Sequence, residues 1–362
     1  TCAHDLARLG YEVVIYERWE KSGGQLVQGV PINRLSRKVV ANELASIEMF
    51  ENIIVKNGID VGVDITFEEL EEKHDVIFIG VGLSQGRFIP IGNYEHPAVH
   101  KGLEFLFDFN MRNKWDLTET RAIVIGGGDV AFDVARSALR CGSPEVQLAC
   151  LERDHLGEMP GSKDERDGGR REGVVFNDGW GPDEILIENN KIIGLRVKKV
   201  KHVFDSEGKF SPEFENESRV IEGDAVFMAV GQKSDLSFLE NSGVSITQQG
   251  LVEIKNDETL QTTKENVFCG GDIALGPKLF INAVESGSRA ARGIHAYLSN
   301  SKPTKLIRNI TFTDLPEYGR TANYVDEERE EREELHVEPA KNPEFNSTLE
   351  YAEKEAKEQA GR

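Results

Sequence analysis

Short apolar runs alternate with longer amphipathic stretches along the first 300 residues of the chain. The runs 12–17 and 123–125 have the character of strands, and the stretch 132–140 after the second run has the pattern of an amphipathic helix. Strands that alternate with helices in this way are typical of parallel α/β proteins. We therefore predict an α/β fold with two Rossmann-like units, each of which binds a nucleotide.

The second of these runs leads into a glycine turn and then into a helix. Gly126, Gly128 and Ala131 occupy the three positions of the G-x-G-x-x-A dinucleotide fingerprint. The first glycine allows the tight turn, the second lets the backbone approach a pyrophosphate, and the alanine lets the helix pack closely on its strand. The helix N-terminus, with Asp129 and Val130, then faces the anion. The alternative is a glycine-rich turn with a purely structural role.

A second, partial unit of the same kind opens the chain. Residues 1–9 predict a helix that Gly10 ends, and the next strand ends in Glu17, where an acid accepts hydrogen bonds from a ribose. The first strand and the glycine turn of such a unit are expected just before Thr1. We therefore expect the chain to be part of a longer polypeptide. The alternative for Glu17 is an acid that merely ends a strand in solvent.

We predict two domains, the second inserted into the first, and a mostly irregular acidic tail. Residues 191–203 and 219–221 predict an antiparallel excursion inside the insertion, and residues 349–360 predict a helix rich in Glu, Ala and Lys. The tail docks on a partner or is solvated. The predicted parts are 1–112 with 248–300 for the first domain, 113–247 for the inserted domain, and 301–362 for the tail.

Charge and cysteine content exclude several classes of protein. The formal net charge of −20 over 362 residues argues against a nucleic-acid partner, because phosphates would be repelled. No stretch approaches 18 apolar residues, so we predict no membrane span. The four cysteines are scattered and include no C-x-x-C pair, which argues against a redox-active disulfide. We expect buried, reduced thiols in a cytoplasmic protein.

The segment after Glu17 predicts a contact with a bulky planar ligand. Two glycines, at 23 and 24, precede Gln25 and Leu26, and backbone without side chains passes close to a flat ring system. Arg34 follows in the next loop, which places a guanidinium near the same ligand. Each feature taken alone is ordinary loop chemistry.

A second glycine-containing turn lies near residue 270. Gly271 and Asp272 follow a short apolar run, and Asp272 is suited to accept a hydrogen bond from a ligand hydroxyl. A helix predicted from about Asn282, with Ala283 in its first turn, would aim its N-terminal amides at developing negative charge. A purely structural Gly-Asp turn is the alternative.

Taken together and in this order, these segments resemble the FAD-dependent pyridine-nucleotide oxidoreductases of the glutamate synthase small-subunit type. The likeness covers about residues 1–300, and its most specific part is the segment Met-Pro-Gly-Ser at residues 159–162. The motifs that carry it are 23–24, 29–31 with Arg34 and Leu35, 80–82, 126–133, 158–162, 229–232 and 270–272.

The resemblance implies a relay of electrons. A nicotinamide cofactor in the inserted domain would pass hydride to FAD in the first, and single electrons would continue to iron–sulfur clusters in partner subunits or further segments. Hydride transfer needs no acid–base side chain, so we assign no catalytic residue. The predicted cofactor-binding residues are Glu17, Gly24, Gln25, Leu26, Arg34, Gly80, Gly82, Gly126, Gly128, Asp129, Val130, Glu152, Arg153, Gly231, Gly271, Asp272, Asn282 and Ala283.

The chain departs from the family pattern where the second cofactor is chosen. Relatives that use NADPH carry two arginines after the second strand of the inserted unit, whereas here Glu152 precedes Arg153. Glu152 lies 24 residues beyond Gly128 (152 − 128), close to the spacing of about 20 for a ribose-binding acid. A carboxylate accepts from a 2′-hydroxyl and repels a 2′-phosphate. We therefore favour NAD(H) over NADP(H), with Arg153 and Lys163 left as possible phosphate partners.

Three functional hypotheses stay open at this point. The first is an NAD(P)H-dependent FAD oxidoreductase module inside a larger iron–sulfur complex. The second is a glutamate synthase small subunit proper, whose electrons end on a glutamate-forming partner. The third is a non-catalytic scaffold subunit, which has no need for backbone that approaches a ligand closely.

Overall fold

The computed structural model describes residues 1–303 and 352–360, and in them the chain has the predicted α/β fold. Most of the predicted acidic tail, residues 304–351 and 361–362, lies outside the described residues. At the end of the tail, a helix (α10) occupies Glu353–Ala360.

The first part of the chain forms a small parallel pair of strands with helices around it. The two strands, β1 and β2, pair in parallel with Val13 opposite Ile53 and Glu17 opposite Asn57. The elements are α1 Cys2–Arg8, β1 Val13–Glu17, α2 Gln25–Gln28, α3 Arg37–Glu48, β2 Ile53–Asn57, α4 Phe67–Lys73, β3 Ile77–Ile79 and β4 Gln85–Gly86.

The middle of the chain forms a five-stranded parallel sheet covered by helices on one face and by a three-stranded antiparallel sheet on the other. The parallel order is β5-β12-β6-β7-β8, and the antiparallel order is β11-β10-β9. The elements are β5 Val99–Lys101, α5 Gly102–Arg112, β6 Ala122–Ile125, α6 Asp129–Arg140, β7 Val146–Cys150, α7 Lys163–Arg171, β8 Val175–Asp178, β9 Trp180–Glu188, β10 Lys191–Phe204, β11 Phe210–Glu222 and β12 Ala225–Met228.

The strand β6 is apolar throughout because both faces of this sheet are covered. Val124 packs with Phe132 and Ala135 of α6, whereas Ile123 packs on the other face against Ile185 and other residues of the antiparallel sheet. The predicted antiparallel excursion is present, although β9 was not predicted. The glycine turn therefore leaves the carboxyl end of a fully buried strand.

The chain then leaves the inserted unit, which contains β5 to β12, and returns to the first unit, which contains β1 to β4. The short strand β13 pairs antiparallel with β4, and β16 pairs in parallel with β3 in a sheet of order β14-β15-β16-β3. The elements are β13 Gln232–Lys233, β14 Ile254–Asn256, β15 Gln261–Thr262, β16 Val267–Cys269, α8 Asp272–Leu275 and α9 Phe280–Leu298, with short 3₁₀ turns at Asp154–Leu156 and Ser237–Leu239.

Strand pairing and core packing extend across both predicted ends of the insertion. The strand β5 pairs with β12, so the inserted sheet already begins at Val99 rather than after residue 112. Leu239 and Val244 pack with Phe67 of the first unit, so the return comes earlier than residue 248. The chain crosses between the units at the β4–β13 pair. Strands of two or three residues carry too weak a pattern to predict these crossings.

Candidate functional site

The glycine turn after β6 has one position closed by packing and one open to a ligand. Gly126 has φ +141°, and a methyl group there would lie 2.5 Å from the carbonyl oxygen of Ala229. Gly128, the N-cap of α6, has nothing within 4 Å of the place a methyl group would take. Gly126 therefore serves the turn, while Gly128 leaves free space beside a helix N-terminus, which suits a pyrophosphate.

The Met-Pro-Gly-Ser segment is bound directly to this turn. The Gly161 amide donates to the Gly127 carbonyl (2.9 Å), and the Ser162 amide donates to Asp129 Oδ1 (2.7 Å). Asp129 therefore contacts the start of α7, which the sequence did not predict. Val130 packs at the edge of the hydrophobic core that contains Phe132 and Val124. The segment and the turn form one rigid rim around the open position at Gly128.

Glu152 lies beside the same turn. Its Oε2 is 3.0 Å from the place that a methyl group on Gly127 would take, and burial raises the pKa of its carboxyl. No ion pair to Glu152 is found among the described residues. The Glu152 carboxylate therefore lies beside the glycine turn without a cation partner among the described residues.

Arg153, the other predicted residue of this pair, is held by an acid. Its Nε and Nη2 donate to the two oxygens of Glu158 at 3.0 and 2.9 Å, and its backbone amide donates to the same carboxylate at 3.1 Å. Both side chains are about three-quarters buried. Glu158 therefore occupies the Nε and Nη2 donors of this guanidinium.

Other cations near the Met-Pro-Gly-Ser segment are also paired with acids. Arg166 Nε lies 3.0 Å from Asp154 Oδ1, and Arg170 pairs with the same carboxylate. Lys163 Nζ lies 2.7 Å from Asp167. The region beyond the rim therefore carries arginine and lysine charges that acids of the same region neutralise.

The first unit has its own open glycines. Gly24 has φ +50° as the N-cap of α2, Gly82 has φ +62°, and neither has an atom within 4 Å of the place for a methyl group. Arg37 donates to the carbonyls of Leu26 (2.9 Å) and Val30 (2.8 Å), which fixes the loop after Gly24. Backbone at Gly24 and Gly82 is thus free for a flat ligand to approach.

The remaining predicted residues of this loop region have specific neighbours. Gln25 Nε2 lies 3.5 Å from the Leu83 carbonyl, and Gly82 accepts through its carbonyl from the Ser234 hydroxyl. The Gly231 carbonyl accepts from the Arg87 amide at 3.1 Å, beside the crossing between the units. Gly80 differs from Gly82, because a methyl group there would lie 3.0 Å from the Phe78 ring. Packing against Phe78 also favours a glycine at position 80.

Glu17 and Asp272 are the two carboxylates of the first unit that the sequence predicts at a ligand. One oxygen of Glu17 accepts from the Trp19 amide (2.9 Å), and burial raises the pKa of this carboxyl. Burial also raises the pKa of Asp272, against a hydrogen bond from the Lys278 amide at 3.3 Å. The turn before Asp272 is fixed, since the Gly271 amide donates to Ser286 Oγ (2.7 Å).

The helix predicted from about Asn282 begins two residues earlier, at Phe280. The Asn282 amide already donates to the Leu279 carbonyl (2.9 Å), and Ala283 lies against Gly271. Leu279, Phe280 and Ile281 are exposed. Apolar residues in the first turn obscured the helix start, because the sequence offers no polar N-cap there.

Arg34 does not stand free beside the first unit's open glycines. Its Nη1 donates to both oxygens of Asp133 at 2.7 Å, and its Nε lies 2.8 Å from Glu165 Oε1. Both acids belong to helices of the inserted unit. Arg34 thus forms an ion pair between the units, which the sequence did not predict because Arg34 and Asp133 lie 99 positions apart. Its place near the cofactor stays a prediction.

Two Rossmann-type units, each with open glycines at a turn, define the class of flavin- and nicotinamide-dependent oxidoreductases. Residues 1–287 match the family described as pyridine nucleotide-disulphide oxidoreductase, and the chain belongs to this family.

Relatives in that family share about a third of their residues with this chain. The chain is 34% identical over 302 residues to the NADP(+)-dependent formate dehydrogenase subunit beta of Moorella thermoacetica, covering 82% of this chain and 42% of that protein. It is 32% identical over 313 residues to the glutamate synthase [NADPH] small chain of Halomonas elongata, covering 82% and 65%. The chain thus spans between about two fifths and two thirds of these relatives.

Solved structures share the fold. FprA of Mycobacterium tuberculosis in complex with NADPH superposes with a TM-score of 0.67 at 19% identity, covering 83% of this chain and 82% of that one. Thioredoxin reductase of T. acidophilum gives a TM-score of 0.60 at 16% identity, covering 83% and 94%. Both likenesses confirm the predicted fold class.

Although the family description includes disulphide reductases, the four cysteines of this chain are all free thiols. Cys2, Cys150 and Cys269 are buried and Cys141 is half-buried; burial raises the pKa of Cys2, Cys141 and Cys269 to about 12. Thiols that stay protonated at neutral pH are poor nucleophiles.

Among residues 1–303 and 352–360, no helix is long and apolar enough to cross a membrane.

Proposed function

We propose that this chain is the FAD- and nicotinamide-binding module of an electron-transfer oxidoreductase. The observation that carries the proposal is the open space at Gly128, at the N-terminus of a helix that follows a buried parallel strand. A turn with only a structural role has no need for that space. The open positions at Gly24 and Gly82 supply the same argument for a second cofactor in the first unit.

The residues present fit two bound dinucleotides. In the inserted unit, Gly126, Gly128 and the first amides of α6 would hold a pyrophosphate, with Glu152 on a ribose. In the first unit, Glu17 would bind a ribose, Gly24 would pass beside the flavin, and Asp272 would accept from a ligand hydroxyl. When bound, FAD would accept hydride from NADH, which leaves as NAD⁺, and would release the two electrons singly to iron–sulfur clusters.

We infer a preference for NAD(H) over NADP(H). Glu152 presents a carboxylate without a cation beside the glycine turn, and Glu158 occupies the guanidinium of Arg153. A 2′-phosphate would meet repulsion from the first and find the second already bonded. Names of relatives point both ways, since the Halomonas protein is named for NADPH and PreT of Escherichia coli is named an NAD-dependent dihydropyrimidine dehydrogenase subunit.

The acceptor is proposed to be iron–sulfur clusters of partner subunits or of further segments, in a cytoplasmic complex. Support comes from relatives whose names describe subunits, among them the NADPH-Fe(3+) oxidoreductase subunit beta of Geobacter sulfurreducens. A glutamate synthase small subunit proper stays an alternative, since one relative carries that name. Copurification of the native complex, with identification of its subunits, separates the two.

An anaerobic titration tests the proposal. The purified protein, equilibrated with FAD, is expected to show a flavin absorbance band that bleaches on addition of NADH and bleaches much less readily with NADPH. Bleaching by NADPH at equal or lower concentration would reverse the inferred preference alone. A preparation that binds no flavin, and in which neither nucleotide perturbs the protein, would favour a non-catalytic scaffold.

A further inference from the structure

The loop after α2 of the first unit carries Arg34, whose side chain contacts two helices of the inserted unit. The Arg34 guanidinium uses Nη1 for both oxygens of Asp133 on α6 (2.7 Å each) and Nε for Glu165 on α7 (2.8 Å). Arginine is suited to this role, because its planar fork fixes the direction of its partners as well as their distance. One side chain thus binds two helices of the other unit at once.

The three side chains are largely withdrawn from water. Arg34 is 28% exposed, Asp133 7% and Glu165 9%. Asp133 lies on α6 amid neighbours that belong to the sheet-facing core, including Phe132 and Val134. Without Arg34, the inserted unit would bury the Asp133 carboxylate close to Glu165 with no cation of the first unit to meet it. The packing of α6 on its own sheet gives no reason for an acid at this position.

Each end of this contact is held rigidly in its own unit. In the inserted unit, Glu165 also accepts from Arg136 Nη1 (2.6 Å), and Arg136 and Arg140 both bind Glu172 (2.7 and 2.6 Å). In the first unit, the Arg34 amide donates to the Pro31 carbonyl at 3.0 Å, and Arg37 binds the loop carbonyls described above. Because the groups on both sides are held in place, this contact fixes the orientation of the two units as well as attracting them to each other.

The contact also lies next to both proposed cofactor positions along the chain. Arg34 follows the Gly24 turn by ten residues (34 − 24), while Asp133 is five residues beyond Gly128 (133 − 128) on the helix that this glycine caps. Glu165 is in the first turn of α7, directly after the Met-Pro-Gly-Ser segment. A shift at this contact would therefore move one proposed cofactor site relative to the other.

We propose that Arg34 is a positioning residue that sets the orientation of the inserted unit on the first unit through Asp133 and Glu165. The inference rests on the proposed function, in which a nicotinamide and a flavin must meet. Hydride transfer requires reacting atoms about 3 to 3.5 Å apart, and an error of 1 Å costs up to about 100-fold in rate. In this role Arg34 acts on the separation of the two rings through its contacts with Asp133 and Glu165.

Stability is a poor explanation for the same contact. Burying charges costs solvation energy that the ion pair only partly recovers, so buried pairs are often neutral or unfavourable compared with apolar packing. A contact retained for orientation should therefore affect geometry and rate more than resistance to unfolding.

The test compares Arg34→Gln, Asp133→Asn and the double variant with a matched control, Arg121→Gln. Arg121 binds Asp224 through Nε (3.0 Å) and Nη2 (3.0 Å) within the inserted unit, so its loss removes a similar ion pair that does not cross between the units. Spin labels on cysteines at two exposed sites, Glu51→Cys and Glu188→Cys, report the distance between the units by pulsed electron paramagnetic resonance.

We expect Arg34→Gln and Asp133→Asn to shift or broaden the label-to-label distance, with the double variant no worse than either single one. Flavin reduction by NADH in a stopped-flow instrument should slow at least about tenfold, with flavin content and NADH affinity unchanged. Arg121→Gln should match the parent protein in distance and in rate.

Two outcomes overturn the proposal. An unchanged distance distribution in Arg34→Gln removes the positioning role, whatever the rate. Loss of flavin from Arg34→Gln but not from Asp133→Asn makes Arg34 a flavin-binding residue instead. Absence of flavin reduction in the parent protein contradicts the proposed function, whereas the distance measurement still decides whether Arg34 orients the units.

Discussion

Single carboxylates carry most of the chemical information in this molecule. Glu152 and Glu158 owe their significance to the absence or presence of a neighbouring cation, as do Asp133 and Glu165 at the contact between the units. Asp272 instead accepts a hydrogen bond from the Lys278 amide. The sequence suggested Glu152 from its spacing to Gly128, and Asp272 from its place in a Gly-Asp turn. The pairing partners of the others became visible only in three dimensions.

The Glu152→Arg variant tests whether Glu152 is the ribose-binding acid. Replacing a carboxylate with a guanidinium removes an acceptor for the 2′-hydroxyl and adds a donor for a 2′-phosphate, so the kcat/KM ratio of NADPH to NADH should rise at least about tenfold. Glu188→Arg is the matched control, since Glu188 is an exposed end residue of β9. Equal discrimination in both variants would place Glu152 outside the nucleotide site.

The Asp272→Asn variant tests the carboxylate of the first unit. Asparagine keeps the size of the side chain but loses its charge and one acceptor, so flavin occupancy after gel filtration should fall several-fold. Asp257→Asn, an exposed acid in the loop before β15, is the control. Flavin content that falls equally in the two variants would point to a general effect on folding, and undiminished content would remove Asp272 from the site.

At the scale of elements, the strand β6, the glycine turn and the helix α6 could be predicted because all their signals are local. An apolar run, three small residues and a helical pattern stand next to one another in the chain. The start of α9 at Phe280 was predicted two residues too late, because its apolar first turn resembles ordinary loop sequence, and the strand β9 was not predicted.

Two substitutions in one turn separate its structural role from its ligand role. Gly128→Ala should leave folding intact, because the residue has φ −91° and open space around it, yet NADH binding should weaken at least about tenfold. Gly126→Ala should instead lower the melting temperature, because it combines φ +141° with a clash against Ala229. Thermal unfolding and nucleotide fluorescence titrations on both variants provide the check.

If Gly128→Ala bound NADH as the parent protein does, the open space beside α6 would not be a nucleotide site. The proposed hydride donor would then need another position in the inserted unit.

At the scale of the whole molecule, the contacts between the two units include the short β4–β13 pair, a hydrogen bond from Asn110 on α5 to the Gln28 carbonyl (2.9 Å), and the ion pair of Arg34 with Asp133. The ion pair could not be predicted, because nothing local marks an acid on a buried helix as the partner of a distant arginine. The architecture was predictable from the order of elements, whereas the way the two units hold each other was not.

The Asp133 carboxyl gives the molecule a specific pH dependence. Burial raises its pKa to about 7, against the lowering effect of Arg34; Glu165 raises it further and Arg136 lowers it. The ordinary pKa of an aspartate is near 3.8. Because the folded chain holds this proton more tightly than the unfolded chain, this group favours folding more as the pH falls from about 7 toward 4.

The free energy of unfolding of the parent protein, measured relative to Asp133→Asn, should therefore rise by on the order of 2 kcal/mol from pH 8 to pH 5. Denaturant titrations of both proteins at each pH give the difference. Over the same range, neutral Asp133 should weaken its hold on Arg34, so the label-to-label distances of the two proteins should converge below about pH 6. A difference that falls with acidification would contradict the raised pKa.

The side-by-side pairing of β4 with β13 has a consequence for how such proteins diversify. Since the chain passes outward at Gln85–Gly86 and back at Gln232–Lys233 through adjacent strands, the residues between them form one continuous cassette whose exchange would keep the chain path of the remainder. A chimera that took this cassette from an NADPH-using relative would inherit a new nucleotide preference. To transfer hydride efficiently, the chimera would also need acids at the positions of Asp133 and Glu165, because these acids pair with Arg34.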